Sequence, residues 1–333
     1  MKVLLTGATG LLGGNVAREL IRRGYELKLF VRSDKKITAL EGLHYELFTG
    51  SLNNVYHLLE AVNGCDIIIH TAAVTDQWPT NFEHYEAINV NATLLLLEVA
   101  KKLGIKKMIY VSTANCFGYG SLETPASELS EFRFFNYNSG YIMSKFIAQQ
   151  HVLKEIEKSQ VPVVIVNPAF MLGPYDSKPS SGKIILMGLN KKILFCPPGG
   201  KSFVDVRDAA MAVCNAITMG KNGECYLLAN QNMSYWDFFE TLAVAREQAQ
   251  TKIRLPKFLI LGLGLMGSLY EKISRKPAPL NFTNARLLCL PMYYNGYKAR
   301  KDLQMPQTPF EQTLADTLLW FEKHGMIPGK TGN

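Results

Sequence analysis

The sequence predicts an α/β fold in which a doubly wound parallel sheet is joined to a smaller, discontinuous, mostly C-terminal region. Three observations predict it. Up to about residue 167, short β-branched or Leu-rich runs alternate with turns and helical stretches, the pattern of parallel strands covered by helices. A glycine-rich turn follows the first run and opens a helix. After Pro168 the texture changes to Pro- and Gly-rich loops and then to helices with aromatic punctuation.

The expected strands are 2–6, 26–31, 44–48, 66–70, 107–112 and 161–167, several of them apolar on both faces as buried parallel strands should be. Loops rich in Pro and Gly occupy 173–182 and 197–200, and 203–220 reads as a return to the main body. The expected division is therefore 1–167 with 203–229 as one domain, 168–202 with 230–325 as a second, and 326–333 as a tail. The run FLILGLGLMGSLY, 258–270, has no charge and is flanked by Lys257 and Lys272. It is shorter than the ~20 apolar residues a spanning helix needs. A buried or lid helix is expected there, in preference to an interfacial membrane helix with basic flanks.

Composition narrows the function classes. The 333 residues are 47% hydrophobic and 19% charged, which is ordinary for globular chains. Lys plus Arg exceed Asp plus Glu by 36 − 28 = +8, an excess that suits an anionic cofactor, an acidic substrate or a membrane surface. Nucleic acid is set aside, because the basic residues are dispersed and no zinc-finger, RNP-like or basic-arm pattern occurs. Cys65, Cys116, Cys196, Cys214, Cys225 and Cys289 show no metal-site spacing and read as reduced thiols, so no metal is expected. Thr6 and Gly7 interrupt the first apolar run too early for a signal peptide, and the expected location is the cytoplasm.

TGATGLLGG, 6–14, places Gly7, Gly10 and Gly13 between the first strand and a helix. Gly7 permits the tight turn, Gly10 lets backbone approach a pyrophosphate, and Gly13 lets the helix pack closely on the sheet. The helix N-terminus adds amide donors and partial positive charge. A dinucleotide is the expected ligand. The residue that selects it lies at the end of the second strand, where FVRSDKK offers Arg32. An NAD site usually has Asp or Glu there for the ribose 2′-hydroxyl, whereas arginine meets a 2′-phosphate with a charge-assisted fork. NADP(H) is favoured over NAD(H), with Ser33, Lys35 and Lys36 adding to the anion site and Asp34 discordant.

NYNSGYIMSK, 136–145, sets Tyr141 four residues before Lys145, so a helix brings both to one face. A nearby ammonium would favour the phenolate of a tyrosine that otherwise titrates near pH ~10. VSTANCFG, 111–118, follows a central strand and puts Thr113, with Ser112 its rival, at the carboxyl end where such sheets bind ligands. A hydroxyl there can hold the oxygen of a carbonyl substrate against the tyrosine.

Taken in order, TGATGLLG, HTAA (70–73), NVNATLLLLE from Asn89, VSTANCFG, YIMSK, NPAFMLGP (167–174) and FVDVRDAA (203–210) resemble the extended short-chain dehydrogenases/reductases over most of the chain. Within that group, the NAD-dependent epimerase/dehydratase superfamily, the chain most resembles the dihydroflavonol 4-reductase-like branch, and 173–185 is also similar to hopanoid-associated sugar epimerase-like proteins. The resemblance implies a Rossmann sheet and an NAD(P)-dependent oxidoreductase with Thr113, Tyr141 and Lys145 as catalytic residues. It implies cofactor contacts from Gly7, Thr9, Gly10, Leu11, Leu12, Gly13, Arg32, Ser51, Leu52, Thr71, Ala72, Ala73, Asn89, Tyr141, Lys145, Asn167, Pro168 and Phe170. Two departures stand out: Ser51 and Leu52 where the family often has an adenine-contacting aspartate, and Ala92 where it usually has glycine.

The implied reaction is hydride transfer to a ketone or aldehyde, or the reverse alcohol oxidation, with Tyr141 exchanging the proton, Thr113 positioning the oxygen and Lys145 lowering the tyrosine pKa. Thr75, Trp78, Asn115, Phe117 and Met171, with Phe170, are the substrate-side candidates; their mix of aromatic and few polar groups suits a ring-bearing small molecule. The alternatives are a 3-beta-hydroxysteroid dehydrogenase-like enzyme or a nucleotide-sugar epimerase/dehydratase. The latter would need pocket cations such as Lys183, Lys192, Lys201, Arg207 or Arg286, and Asn167 stands where many of those enzymes carry arginine. A homodimer remains open.

Overall fold

The computed structural model describes residues 1–33, 40–76, 78–159 and 161–329. The first six strands are β1 (Lys2–Thr6), β2 (Glu26–Val31), β3 (Glu46–Thr49), β4 (Ile67–His70), β5 (Lys107–Val111) and β6 (Val163–Pro168). Three more, β7 (Phe170–Leu172), β8 (Ile193–Cys196) and β9 (Gly200–Asp205), lie outside the main sheet before β10 (Cys225–Leu228) returns to it. The seven main strands run in the order β10-β6-β5-β4-β1-β2-β3, every pairing parallel. The order reverses between β1 and β4, and a crevice at such a switch point is where doubly wound sheets bind ligands.

Strand alternation divides the core. Val3, Leu5, Leu29, Ile67, Ile109 and Val164 pack on one face with helices α1 (Leu11–Arg22) and, later in the chain, Val206–Asn215. Leu4, Ile68, Met108, Tyr110, Val163 and Ile165 pack on the other. There they meet α2 (Val55–Val62) and α4 (Ala92–Lys102), with α3 (Glu83–Tyr85) and a π-helical turn, Glu86–Asn91, leading into α4. The long α5 (Gly140–Ser159) covers the same face. Successive residues of a strand point to opposite faces, so a run such as VVIVNP can be buried throughout.

Past α6 (Lys183–Gly188) and α7 (Val206–Asn215), a second sheet takes the order β11-β9-β13, with β7 alongside β9, where β11 is Gln231–Ser234 and β13 is Pro291–Met292. β12 (Thr251–Arg254) pairs with β8 apart from both sheets. Helices α8 (Tyr235–Ala245) and α12 (Phe310–Lys323) cover this region. Its core is aromatic: Phe203 stacks on Phe238 at 5.1 Å and tilts against Phe310 at 5.2 Å between centroids.

Two expectations are corrected here. Residues 203–205 belong to β9 of the smaller sheet, so the return to the main body begins with α7, packed on α1, and ends with β10, a strand not anticipated from the pattern. The segment 258–270 lies within α9 (Lys257–Ser274), and only Ile260 and Gly264 of that helix are buried. It is no core helix. Its inner side carries Gly264 and Gly267, which lie so close to α10 (Phe282–Leu288) and the turn before it that a Cβ would press on Ala285 and the Leu280 carbonyl. α11 (Tyr297–Leu303) completes the helices.

Candidate active site

The glycine turn is built as its spacing demands. Gly7 sits at φ +76°, and a Cβ there would meet the Ala72 nitrogen and the Thr71 Oγ1 at 2.5 Å. At Gly13 a Cβ would press on the Gly7 carbonyl, so both glycines are fixed by close approach of backbone. Gly10 differs. A Cβ there would meet only the Gly7 oxygen, at 3.4 Å, and the residue lies exposed with Thr9 at the start of α1. No side chain caps α1, which leaves first-turn amides for an anion. Leu11 and Leu12 turn their side chains into the core, so what they offer outward is backbone. Thr71, Ala72 and Ala73 follow β4 beside this turn, held by Thr71 Oγ1 donating to the Thr6 carbonyl at 2.7 Å and the Ala72 amide donating to Thr6 Oγ1 at 3.3 Å. This cradle, bare of side chains at Gly10, fits a dinucleotide pyrophosphate.

Arg32, just past β2, is exposed and without an acidic partner among the described residues. Asp34, Lys35 and Lys36 lie outside the described residues. Ser51, past β3, is exposed and its amide donates to His57 Nδ1 at 3.1 Å, whereas Leu52 is buried in the core.

Tyr141 and Lys145 stand on the first turns of α5. The helix start is locked to the loop after β4: the Gly140 amide donates to the Thr80 carbonyl at 2.8 Å, and a side chain at Gly140 would collide with the Thr80 and Asn81 carbonyls. The Tyr141 ring meets Tyr85 edge-on at 6.3 Å, and the Tyr85 hydroxyl in turn donates to the carbonyls of Asp76 and Pro79 at 2.7 Å each. Thr113 caps the short 3-10 turn Ala114–Cys116, its oxygen accepting from the Asn115 amide at 3.3 Å. Its hydroxyl faces the Tyr141 phenol and pulls the phenol's pKa down, but burial prevails and pushes Tyr141 up to about 12.

The lysine departs from its expected role. Lys145 is 2% exposed, donates to the Val111 carbonyl at 2.8 Å and lies over the Tyr110 ring at 4.5 Å. Burial pulls it down to about 8, and it is not among the groups that shift Tyr141. Desolvation is the leading influence on both groups.

Both asparagines expected at the cofactor also brace the surrounding backbone. Asn89, in the π-helical turn, accepts from the Val74 amide at 2.8 Å and donates to the Val74 carbonyl at 3.0 Å and Ser144 Oγ at 2.9 Å. It ties the loop after β4 to α5. Asn167, also fully buried, donates to the Thr113 carbonyl at 2.9 Å and Gln149 Oε1 at 2.7 Å, and so fixes the backbone that presents Thr113. Pro168 is buried at the end of β6. Phe170 packs edge-on against Phe203 at 5.6 Å, with the Lys201 ammonium 4.8 Å from its ring centre.

The substrate-side candidates separate. Thr75 and Trp78 are exposed on the loop that Tyr85 holds. Asn115, half-buried, accepts from the Tyr294 hydroxyl at 3.2 Å. Phe117 is buried in the cluster of Ala114, Ile142 and Tyr294, and Met171 packs against the main-sheet core, so both side chains serve packing. Residues the sequence reading passed over include Tyr85, Ser144, Gln149, Tyr294 and His70. Buried His70 lies 2.7 Å from Thr6 Oγ1 and 3.1 Å from Thr93 Oγ1 through its two ring nitrogens. Burial, then Lys145, drives its pKa down to about 3, so it stays neutral. HTAA held the only local signal for it; the others are defined by long-range contacts.

A family model described as the NAD dependent epimerase/dehydratase family matches residues 3–229. The chain belongs to the NAD dependent epimerase/dehydratase family. A dihydroflavonol 4-reductase-like protein of Synechocystis sp. is 30% identical over 97% of this chain and 95% of its own. Sterol demethylase protein B of Methylococcus capsulatus is 27% identical over 98% of this chain and 100% of its own. Among solved structures, that of gox2253 superposes with a TM-score of 0.84 at 29% identity, covering 98% of this chain and 99% of that one. As a member of the NAD dependent epimerase/dehydratase family, the chain is an NAD(P)-dependent oxidoreductase of the extended short-chain dehydrogenase/reductase type.

Proposed function

We propose that the chain is an NADPH-dependent reductase that acts on the carbonyl of a small ring-bearing ketone or aldehyde, or oxidises the corresponding alcohol. The observation that carries this reading is the Thr113 hydroxyl facing the Tyr141 phenol, with Lys145 buried one helical turn along. When bound, the nicotinamide supplies the hydride. The chain's own part is placement and proton transfer. Thr113 donates a hydrogen bond to the carbonyl oxygen, and Tyr141, neutral at pH 7 with its pKa near 12, stands ready to give that oxygen its proton. Lys145, held by the Val111 carbonyl and the Tyr110 face one helical turn from the phenol, would hold the nicotinamide-ribose hydroxyls.

Gly10 and the amides of Leu11, Leu12 and Gly13 would hold the pyrophosphate, and Arg32 the 2′-phosphate. Exposed Arg32, with no acidic partner among the described residues, favours NADPH. The names of the relatives, a dihydroflavonol reductase-like protein and a sterol demethylase component, support a ring-bearing substrate. A nucleotide-sugar reaction is less well supported, because Arg207 is paired with Asp205 and Asp316, while Arg286 donates to the Asn136 carbonyl and lies on Tyr137. Those two cations are committed elsewhere.

The test is a carbonyl-substrate screen with NADPH and NADH side by side. The wild-type chain should prefer NADPH, and Arg32→Asp should weaken NADPH binding by about 10-fold or more while sparing NADH, a charge-assisted fork contributing roughly 1.5–3 kcal/mol. An unchanged preference in that variant removes the role given to Arg32.

A further inference from the structure

Helix α9 inverts the usual arrangement of a surface helix. The side that meets the protein is small: Gly264 and Gly267 press on Ala285 and the 280–282 backbone. The opposite side carries Phe258, Leu259, Leu263, Leu265, Met266, Leu269, Tyr270 and Ile273, all exposed, with Phe258, Met266 and Ile273 at 73%, 69% and 76%. At 100° per residue these eight side chains, with Gly262, fall on one continuous arc of roughly 160° that contains no charge. Soluble helices place their apolar stripe against the core, so a stripe this wide facing away calls for an apolar partner outside the chain.

Charge identifies that partner. Lys257 and Lys272 lie on α9, Arg254 shortly precedes it, and Arg275 and Lys276 follow it. Glu271, the one acid of the helix, faces inward, accepting from the Ala278 amide at 3.0 Å and Asn281 Nδ2 at 3.3 Å. An apolar arc with a cationic rim is complementary to acyl chains beneath anionic headgroups, and a second copy of the same rim would repel it. The helix is about 27 Å long, and no helix among the described residues is long and apolar enough to cross a membrane. We infer that α9 is an interfacial anchor that lies in the surface of an anionic lipid bilayer. The anchor connects to the candidate active site: α10, on which α9 packs, is pinned through Thr283 to the Asn138 carbonyl and through Arg286 to the Asn136 carbonyl, just ahead of Tyr141.

Flotation of the full chain with vesicles tests this without reference to turnover. The chain should float with phosphatidylcholine vesicles containing a third phosphatidylglycerol and bind pure phosphatidylcholine at least several-fold more weakly. Leu265→Ser with Met266→Ser and Leu269→Ser alters exposed positions only, and should lower the partition coefficient tenfold or more at unchanged melting temperature. Lys272→Glu with Lys276→Glu should abolish the preference for anionic vesicles. Failure to float with either vesicle overturns the inference. So does flotation that survives the triple serine variant, equal binding to neutral and anionic vesicles, or a dimer by light scattering that the serine variant dissolves while vesicles bind neither form.

Discussion

Burial acts in opposite directions on the two titratable residues at the start of α5, raising the Tyr141 phenol to about 12 and lowering the Lys145 ammonium to about 8. Each shift favours the neutral form, as desolvation must. The consequence for Lys145 has a definite sign. Its ordinary value is 10.5, so between pH 8 and 10.5 the unfolded chain holds a proton that the folded chain has released, and stability rises with pH across that window. Lys145→Met removes this contribution. The stability of the wild type relative to that variant should be flat below pH 8 and climb by about 3 kcal/mol towards pH 10.5, as measured by urea unfolding of the ligand-free proteins. A difference that stays flat to pH 10.5 would show that the ammonium is solvated. The Tyr-x-x-x-Lys spacing was legible in the sequence because it depends only on helix periodicity. The balance of forces on the pair was not, since it depends on what Val111, Tyr110 and Thr113 place around it from another element.

At the level of elements, the turn from β1 into α1 separates glycines required by the fold from the glycine required by the ligand. Gly13→Ala forces a Cβ onto the Gly7 carbonyl and should lower stability by roughly 1–3 kcal/mol. Gly10→Ala meets only the Gly7 oxygen at 3.4 Å, so its melting temperature should stay within about 2 °C of wild type while dinucleotide affinity falls tenfold or more. Thermal melts paired with fluorescence titration of NADPH distinguish the two, and equal affinity in Gly10→Ala would place the pyrophosphate elsewhere. Strand periodicity located β1 and β2 to the residue and the next four strands to within two residues, because all but the edge strand β3, which is largely exposed, are buried on both faces or nearly so. The short strands β7, β11 and β13 were not legible. They number three, four and two residues, too few for a period-two pattern, and their pairing partners lie far away in the chain. The bracing contacts of Asn89 and Asn167 were not legible for a related reason. Sequence shows that a polar residue is near a site, not that Val74 and Ser144 hold Asn89 or that Asn167 Nδ2 bridges Gln149 and the Thr113 carbonyl while its buried Oδ1 is left without a protein partner among the described residues.

Across the whole molecule, the smaller sheet is fastened to the helices around it by one buried carboxylate. Asp205, at the end of β9, accepts from the Arg207 amide at 2.8 Å, from its Nε at 2.9 Å and Nη2 at 2.6 Å, and from Thr313 Oγ1 of α12 at 2.8 Å. Asp205→Ala leaves these donors without their acceptor and should cost about 3–5 kcal/mol in urea unfolding, whereas Asp316→Ala, which removes the more exposed partner of Arg207, should cost under about 1 kcal/mol. Comparable losses in both would contradict this ranking. The fastening holds the smaller region against the main sheet, at whose strand ends Thr113 and Tyr141 face each other. Whether that pair moves a proton is most directly tested with Tyr141→Phe, assayed for NADPH binding and for ketone reduction in the same preparation. NADPH affinity should stay within about 3-fold of wild type while the reduction rate falls about 10²- to 10⁴-fold; a variant that reduces the ketone as fast as wild type would contradict the account.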